Sequence, residues 1–412
     1  MIYGLIGEHL GHSFSAEIHA RLGEEPYELK ELAPEEVGPF LGRGEFRAIN
    51  VTIPYKQAVI PYLDGISETA REIGAVNTVV RRDGKLYGDN TDAAGLAMLL
   101  RRTGAEPAGR KVLILGTGGT SLTAKYVASS QGAREVIRVS RSGKEGAVTY
   151  EQAAAEHADA EILINTTPCG MYPRCGECPA DLDLFPALKA VADAVYNPLR
   201  TNLVLEARRR GIPAEGGLFM LTAQAVRAAE LFRDTEYPPE TADRIFRQLM
   251  REKENMVLIG MPGSGKSTVS AALHARTGRP VVDTDALVEQ KAGKPIPEIF
   301  REDGEKAFRD LESEVVAEVS ARGGQVIATG GGAVLRPENV TALKRNGRLI
   351  LLERPAGELT PTADRPLADT RDKMDRLWRE REPVYRAAAD CTVRLAGTPE
   401  EAARETESRW QE

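Results

Sequence analysis

Residues 260–267 read GMPGSGKS and stand between the apolar run NMVLI and the segment KSTVSAALHART. Gly260, Gly265, Lys266 and Ser267 fit the pattern G-x-x-x-x-G-K-[ST]. Glycines there let backbone N–H groups turn inward around a phosphate, and the helix that follows adds the positive end of its dipole. An apolar strand, such a loop and a helix in direct succession constrain the fold to an α/β domain that holds a phosphorylated ligand. The backbone of Gly263, Ser264, Gly265, Lys266, Ser267 and Thr268 would form the cradle. Lys266 would reach the outer phosphates, and the Ser267 hydroxyl would join a Mg²⁺ shell.

The loop begins only after more than half of a 412-residue chain, which is long enough for two or three cores. With 42% hydrophobic and 28% charged residues and a net charge of −7, the balance is that of a soluble globular protein. The acidic sign argues against broad nucleic-acid binding. No apolar run approaches the length of a membrane helix. The start MIYGLIGEHLGHS lacks a basic region, a long apolar core and a cleavage site, so a cytoplasmic location is expected. Cys169, Cys175, Cys178 and Cys391 read as free thiols. The first three lack a fourth zinc ligand, His157 being the nearest addition.

Downstream of the loop, PVVDTD reads as a strand ending in the carboxylates Asp283 and Asp285, the place where α/β sheets hold ligands. EKAFRDLE sets Arg309 three residues before Glu312 on a helix, a spacing that lets them pair. VIATGGGAV ends a further strand in Gly330, Gly331 and Gly332, where something must approach the backbone closely. Arg365 and Arg381 follow in ADRPLAD and LWREREPVY. Any one of these arginines alone would read as a surface charge.

Together these features, over about residues 255–411, resemble the shikimate kinase family. The resemblance implies ATP and Mg²⁺ as cofactors. It implies Asp285, Arg309, Gly331 and Arg381 as shikimate contacts, the arginines gripping the carboxylate and Asp285 drawing the hydroxyl proton. It further implies Lys266 on the transferred phosphate, Arg365 as a lid arginine and Asp283 beside the metal. The segment RPAGELTPTAD, where the family has a longer lid, is short and carries two prolines. Weaker closure over ATP is therefore expected.

A second glycine loop lies upstream. RKVLILGTGGTS is an apolar strand followed by Gly116, Thr117, Gly118, Gly119 and Thr120; a helical run closed by Gly132 and the strand EVIRVS come next. That is a βαβ dinucleotide unit with Ser121 in place of the third fingerprint glycine. The second strand ends in Ser140, Arg141 and Ser142 rather than an acid, which suits the 2′-phosphate of NADP(H). The plain alternative is a surface arginine in a tight turn.

Around this unit, GEHLGHSFSAEIH, NVTIPYK, GAVNT, GDNTD, NTTPCGM, DAVYNPLRT and GGLFMLTAQA resemble, in that order, the shikimate dehydrogenase family over residues 1–253. The resemblance implies Lys56 as general acid with Asp92 orienting it. It implies Ser13, Ser15, Thr52, Asn77, Tyr196 and Gln224 as contacts to 3-dehydroshikimate, and Ala194 and Gly217 as nucleotide contacts. Read without it, Lys56 is a solvated strand-end lysine and Asp92 a helix N-cap, a role it could combine with catalysis. His12 and His19 read as structural.

The expected architecture is α/β throughout. Residues 1–104 and 218–253 form a substrate domain, 105–217 a Rossmann NADP domain and 254–412 a P-loop kinase domain. The expected function is reduction of 3-dehydroshikimate followed by phosphorylation of shikimate. The partners are small-molecule substrates, neither nucleic acid nor membrane, with monomer and homodimer both open. The alternatives are a quinate-preferring dehydrogenase using NAD, a kinase for another polyol, and a regulatory or inactive kinase-like module. The junction FRQLMREKENMVLIG contains no Gly, Ser or Pro linker before Gly260.

Overall fold

A computed structural model describes all residues except Met1, His12, Glu25, Glu145, 355–358, 360–369, Ala396 and Glu412. The chain forms two compact units, Met1–Gln248 and Leu249–Glu412. The division falls inside the helix Thr241–Lys253, and Glu254 alone separates that helix from the next strand, Asn255–Ile259.

In the first unit, the described residues form two sheets. The first contains β1 (Tyr3–Gly7), β2 (Tyr27–Glu31), β3 (Ala48–Val51), β4 (Gly65–Ile66), β5 (Thr78–Arg82) and β6 (Lys85–Asp89), in the order β2-β1-β3-β5-β6-β4. β1 pairs in parallel with β2 and β3, while β5 runs antiparallel to both β3 and β6. The helices Asp92–Arg102 and Leu218–Arg233 approach closely at Gly95, where a Cβ would meet the Met220 carbonyl at 2.6 Å.

The second sheet is all parallel: β7 (Lys111–Leu115), β8 (Glu135–Val139), β9 (Ile162–Asn165), β10 (Ala190–Asp193) and β11 (Ala214–Glu215), in the order β11-β10-β9-β7-β8. β7, KVLIL, is buried along its whole length, as a strand covered on both faces requires. The strand order reverses between β7 and β9, the position where doubly wound sheets open a ligand crevice.

The second unit holds a parallel sheet of β12 (Asn255–Ile259), β13 (Val281–Asp283), β14 (Val326–Ala328), β15 (Gly347–Glu353) and β16 (Cys391–Arg394), in the order β13-β14-β12-β15-β16. Alternate residues serve opposite faces, as the pleat dictates. Val257, Ile259, Leu349 and Leu351 join one core; Met256, Leu258, Ile350 and Leu352 join the other.

Two local readings of the sequence are corrected. Asp92 is the first residue of its helix, with Thr91 in the N-cap position, so its side chain is not the cap. The segment PVVDTD is not a strand to its end. β13 stops at Asp283, whose carboxylate accepts from the N–H groups of Asp285 and Ala286 and starts the helix Thr284–Ala292. An Asp that satisfies the first N–H groups of a helix stops the strand there.

Candidate active sites

In the first unit, Lys56 lies in the turn after β3, and its Nζ donates to Asp92 Oδ2 at 2.6 Å. Both side chains are mostly withdrawn from solvent, at 14% and 10% exposure. On the other side, the Lys56 stem reaches the dinucleotide loop: Cδ lies 3.9 Å from where a Cβ on Gly119 would sit.

Asn77, buried next to this pair, accepts at Oδ1 from the Thr91 N–H at 2.7 Å and donates from Nδ2 to Gln224 Oε1 at 3.5 Å. The Thr91 hydroxyl donates to Gln224 as well, at 3.3 Å. Thr91 thus ties Asn77, Gln224 and the helix that begins with Asp92, a role not singled out in the sequence although Thr91 sits in the GDNTD segment. Thr52, whose carbonyl accepts from the Tyr55 N–H, packs its methyl against the end of β1 at Gly7. Ser13 donates to Ser15 at 3.0 Å and hydrogen-bonds Tyr196, whose ring lies 5.5 Å from that of Phe14. Burial pushes the Tyr196 phenol above its ordinary range, with the Ser13 bond opposing it. His19 is fully buried, paired with Glu24 and stacked on Tyr27; His12 lies outside the described residues.

The dinucleotide loop follows from local sterics. Gly116 has φ +110°, and a Cβ there would meet Thr166 Oγ1 at 2.8 Å, so glycine lets the β7 and β9 ends close together. Gly118 has open space where a side chain would stand. Thr117 and Thr120 flank these glycines, and the helix Gly119–Ser130 starts at the loop with its N–H groups directed toward it. Ser140 accepts from the Gly143 N–H, while Arg141 and Ser142 are exposed at the end of β8. Ala194 N–H donates to the Asn165 carbonyl, and Gly217 packs directly on the Ala194 carbonyl.

Asp193 lies between these segments and was not picked out from sequence. Fully buried, it accepts from Asn165 Nδ2, the Val195 N–H and the Thr201 hydroxyl. Burial raises its carboxyl to about 6, against the lowering effect of those bonds. The open glycine loop, the exposed arginine and the helix N-terminus form a donor set that suits a dinucleotide phosphate.

In the second unit, a cleft of about 690 Å³ brings together Lys266, Asp283, Asp285, Arg309, Gly331 and Arg381. Each glycine of the triple turn has a distinct neighbour. A Cβ on Gly330 would strike the carboxylates of Asp285 and Glu312; on Gly331, the ring of Pro262; on Gly332, the Arg309 guanidinium. Arg309 donates to Glu312 at 2.8 Å from the helix Gly304–Ser320, both residues buried. Arg381 donates to the Gly331 carbonyl at 2.9 Å, and the Tyr385 hydroxyl donates to the same oxygen. Burial pushes the Tyr385 phenol up to about 12.

Gly263 and Gly265 take positive φ, and Lys266 Nζ donates to the carbonyls of Gly260 and Met261 at 2.9 Å. Ser264 Oγ is buried with no hydrogen-bond partner among the described residues, and Thr268 lines the cleft one residue beyond Ser267. Ser267 Oγ lies 3.2 Å from Asp283 Oδ2, a hydroxyl–carboxylate set of hard oxygens that suits Mg²⁺.

Arg365 and nearly all of the short lid segment lie outside the described residues. Among the described residues no group of three or more His, Cys, Asp or Glu side chains is arranged to hold a metal ion. The Cys169 thiol is pushed up to about 11, chiefly by burial. No described helix is long and apolar enough to cross a membrane.

A mixed sheet joined to a doubly wound sheet with a glycine loop is the architecture of a nucleotide-dependent dehydrogenase. A parallel sheet with a phosphate loop after its central strand is that of a P-loop phosphotransferase. The shikimate dehydrogenase substrate binding domain model matches residues 5–79, and the shikimate kinase model matches residues 262–410. Shikimate dehydrogenase (NADP(+)) of Clostridium perfringens strain SM101 is 35% identical over 267 residues, covering 60% of this chain and 98% of that protein. A chorismate mutase/shikimate 5-dehydrogenase fusion protein from Clostridium acetobutylicum matches with TM-score 0.57 and 33% identity, over 60% of this chain and 96% of that one. Shikimate 5-dehydrogenase from Thermus thermophilus, in complex with NADP(H) and shikimate, matches with TM-score 0.53 and 32% identity, over 60% of this chain and 99% of that one. The chain belongs to the shikimate dehydrogenase family and carries a shikimate kinase domain after the dehydrogenase region. Both matches support a role in the shikimate pathway.

Proposed function

We propose that this chain carries out two consecutive reactions: NADPH-dependent reduction of 3-dehydroshikimate to shikimate, then ATP-dependent phosphorylation of shikimate to shikimate 3-phosphate. The observation that carries the reading is the 2.6 Å Lys56–Asp92 pair set against the dinucleotide loop. The named relatives bound to or acting with NADP support it. We assign residues 1–104 and 218–253 to the substrate domain, 105–217 to the NADP domain and 254–412 to the kinase.

NADPH supplies the hydride when bound. Lys56 Nζ gives its proton to the substrate's ring oxygen as the ketone becomes a hydroxyl, and Asp92 holds the ammonium in place. Ser13, Ser15 and Tyr196 hydrogen-bond the carboxylate, while Thr52, Asn77 and Gln224 meet ring oxygens. Ser140, Arg141 and Ser142 hold the 2′-phosphate, and Gly116 to Thr120, Ala194 and Gly217 line the rest of the cofactor.

At the second site, Arg309 and Arg381 grip the shikimate carboxylate. Asp285 accepts the proton of the attacking hydroxyl, whose oxygen bonds to the γ-phosphorus as the bond to ADP breaks. Residues 263–268 cradle the phosphates, and Lys266 neutralises charge on the transferred group. We assign Arg365 to nucleotide binding on the family resemblance alone. Ser267 and Asp283 would hold Mg²⁺, which would supply charge neutralisation at the phosphate oxygens.

One coupled assay tests the whole reading. Given 3-dehydroshikimate, NADPH and Mg·ATP, the protein should oxidise NADPH and release ADP in equal amounts. NADPH loss without ADP release would leave a dehydrogenase with a non-catalytic kinase-like domain. ADP release only with added shikimate would remove the first step.

A further inference from the structure

Arg354 is a side chain that neither the sequence motifs nor the substrate cleft accounts for. It follows β15 directly. β15 pairs in parallel with β12, Leu351 opposite Ile259, so Arg354 emerges beside the phosphate loop that β12 leads into. The loop glycine records the approach. A Cβ on Gly265 would find its nearest neighbours in Leu395 Cδ1 at 3.6 Å and Arg354 Nη2 at 3.7 Å. Arg354 is absent from the lining of the cleft that holds Asp285, Arg309 and Arg381, so it flanks the loop elsewhere.

Its Nε is buried and has no hydrogen-bond partner among the described residues. The adjacent carboxylate, Glu353, is taken by Arg386 and by Arg394 Nε at 3.2 Å. A guanidinium donor withdrawn from water without an acceptor is costly, and an anion at the same place removes the cost. The group that would stand beside Gly265 in the proposed reaction is the nucleotide polyphosphate.

We infer that Arg354 is a nucleotide-binding residue that donates to the phosphates of ATP and ADP from the flank of the loop away from the shikimate cleft. The inference rests on the reading of this domain as an ATP-dependent kinase.

The test is calorimetric titration of Mg·ADP into the full chain, wild type and variants, with steady-state kinase kinetics alongside. Wild type should bind Mg·ADP; if it does not, the kinase reading itself fails. Arg354→Gln should weaken ADP by about tenfold or more and raise the KM for ATP in proportion. The KM for shikimate should stay within about twofold, and the dehydrogenase rate should be unchanged. Arg354→Lys, which keeps the charge but not the planar fork, should fall between the two. Wild-type ADP affinity in Arg354→Gln would overturn the inference while leaving the nucleotide site in place. A lysine variant as weak as the glutamine variant, with an unchanged melting temperature, would also overturn it.

Discussion

Lys56 Nζ stands 2.6 Å from Asp92 Oδ2, although the two residues come from a turn after β3 and from the first position of a helix 36 residues later. An ion pair this short, with both side chains largely withdrawn from solvent, fixes the direction of the ammonium. Lys56→Ala should lower dehydrogenase kcat by about 10²-fold or more. Kinase activity with supplied shikimate should stay at the wild-type level. Asp92→Asn should lower the rate less than Lys56→Ala. A folded Lys56→Ala protein that has lost its kinase would show that the two activities are coupled.

Arg141 is exposed at the end of β8, where an acid would favour the unphosphorylated ribose. A hydrogen bond to a charged group contributes about 1.5–3 kcal/mol. NADPH should therefore exceed NADH by at least about tenfold in kcat/KM. Arg141→Ala should raise the KM for NADPH with a smaller effect on kcat. Equal use of both cofactors by the wild type would refute this role and favour the NAD-linked alternative.

Asp193 titrates near 6 in the folded protein, above its ordinary 3.8, because burial penalises the charge. The folded state therefore holds this proton more tightly than the unfolded chain. Its stabilising effect is full below about pH 4 and is lost as pH rises through about 6, a span of about 3 kcal/mol. Asp193→Asn cannot ionise, so its unfolding free energy relative to wild type should increase from pH 4 to 7 and stay level above 7. Denaturant unfolding of both proteins across this range measures it. A pH-independent difference would place the Asp193 titration elsewhere.

Gly217 has φ −71°, open to any residue, so its constraint is space. A Cβ would press on the Ala194 carbonyl and lie 3.0 Å from the Val195 carbonyl carbon, both backbone groups with little room to yield. Gly217→Ala should destabilise the first unit by about 1–3 kcal/mol and raise the KM for NADPH. Thermal denaturation with dehydrogenase kinetics would check it. An unchanged melting temperature and KM would refute it.

Much of the second site was legible because the relevant groups are close in sequence. The phosphate loop, the Arg309–Glu312 pair and the triple glycine each carry their geometry within a few residues. Asp193 was hidden because its burial depends on Asn165, 28 residues away on the neighbouring strand. Thr91 was hidden for a similar reason, its partner Gln224 lying 133 residues further on. The start of each helix was misplaced by one or two residues at Asp92 and Asp285, since an acid before a helical run does not reveal whether it caps the helix or belongs to it. Arg354 needed knowledge of which acids were already engaged, which only side-chain positions supply.

The doubly engaged Gly331 carbonyl limits what can replace Arg381. One guanidinium N–H is fixed on that oxygen, and Tyr385 occupies the rest of its accepting capacity. The Tyr385 hydroxyl also hydrogen-bonds the guanidinium, and the N–H groups left on the planar head are already aimed by these bonds. A lysine has one nitrogen at the end of a flexible stem, and anchoring it on the carbonyl would leave its remaining hydrogens crowded at a single point. Position 381 therefore demands a rigid, two-sided connector rather than simply a positive charge.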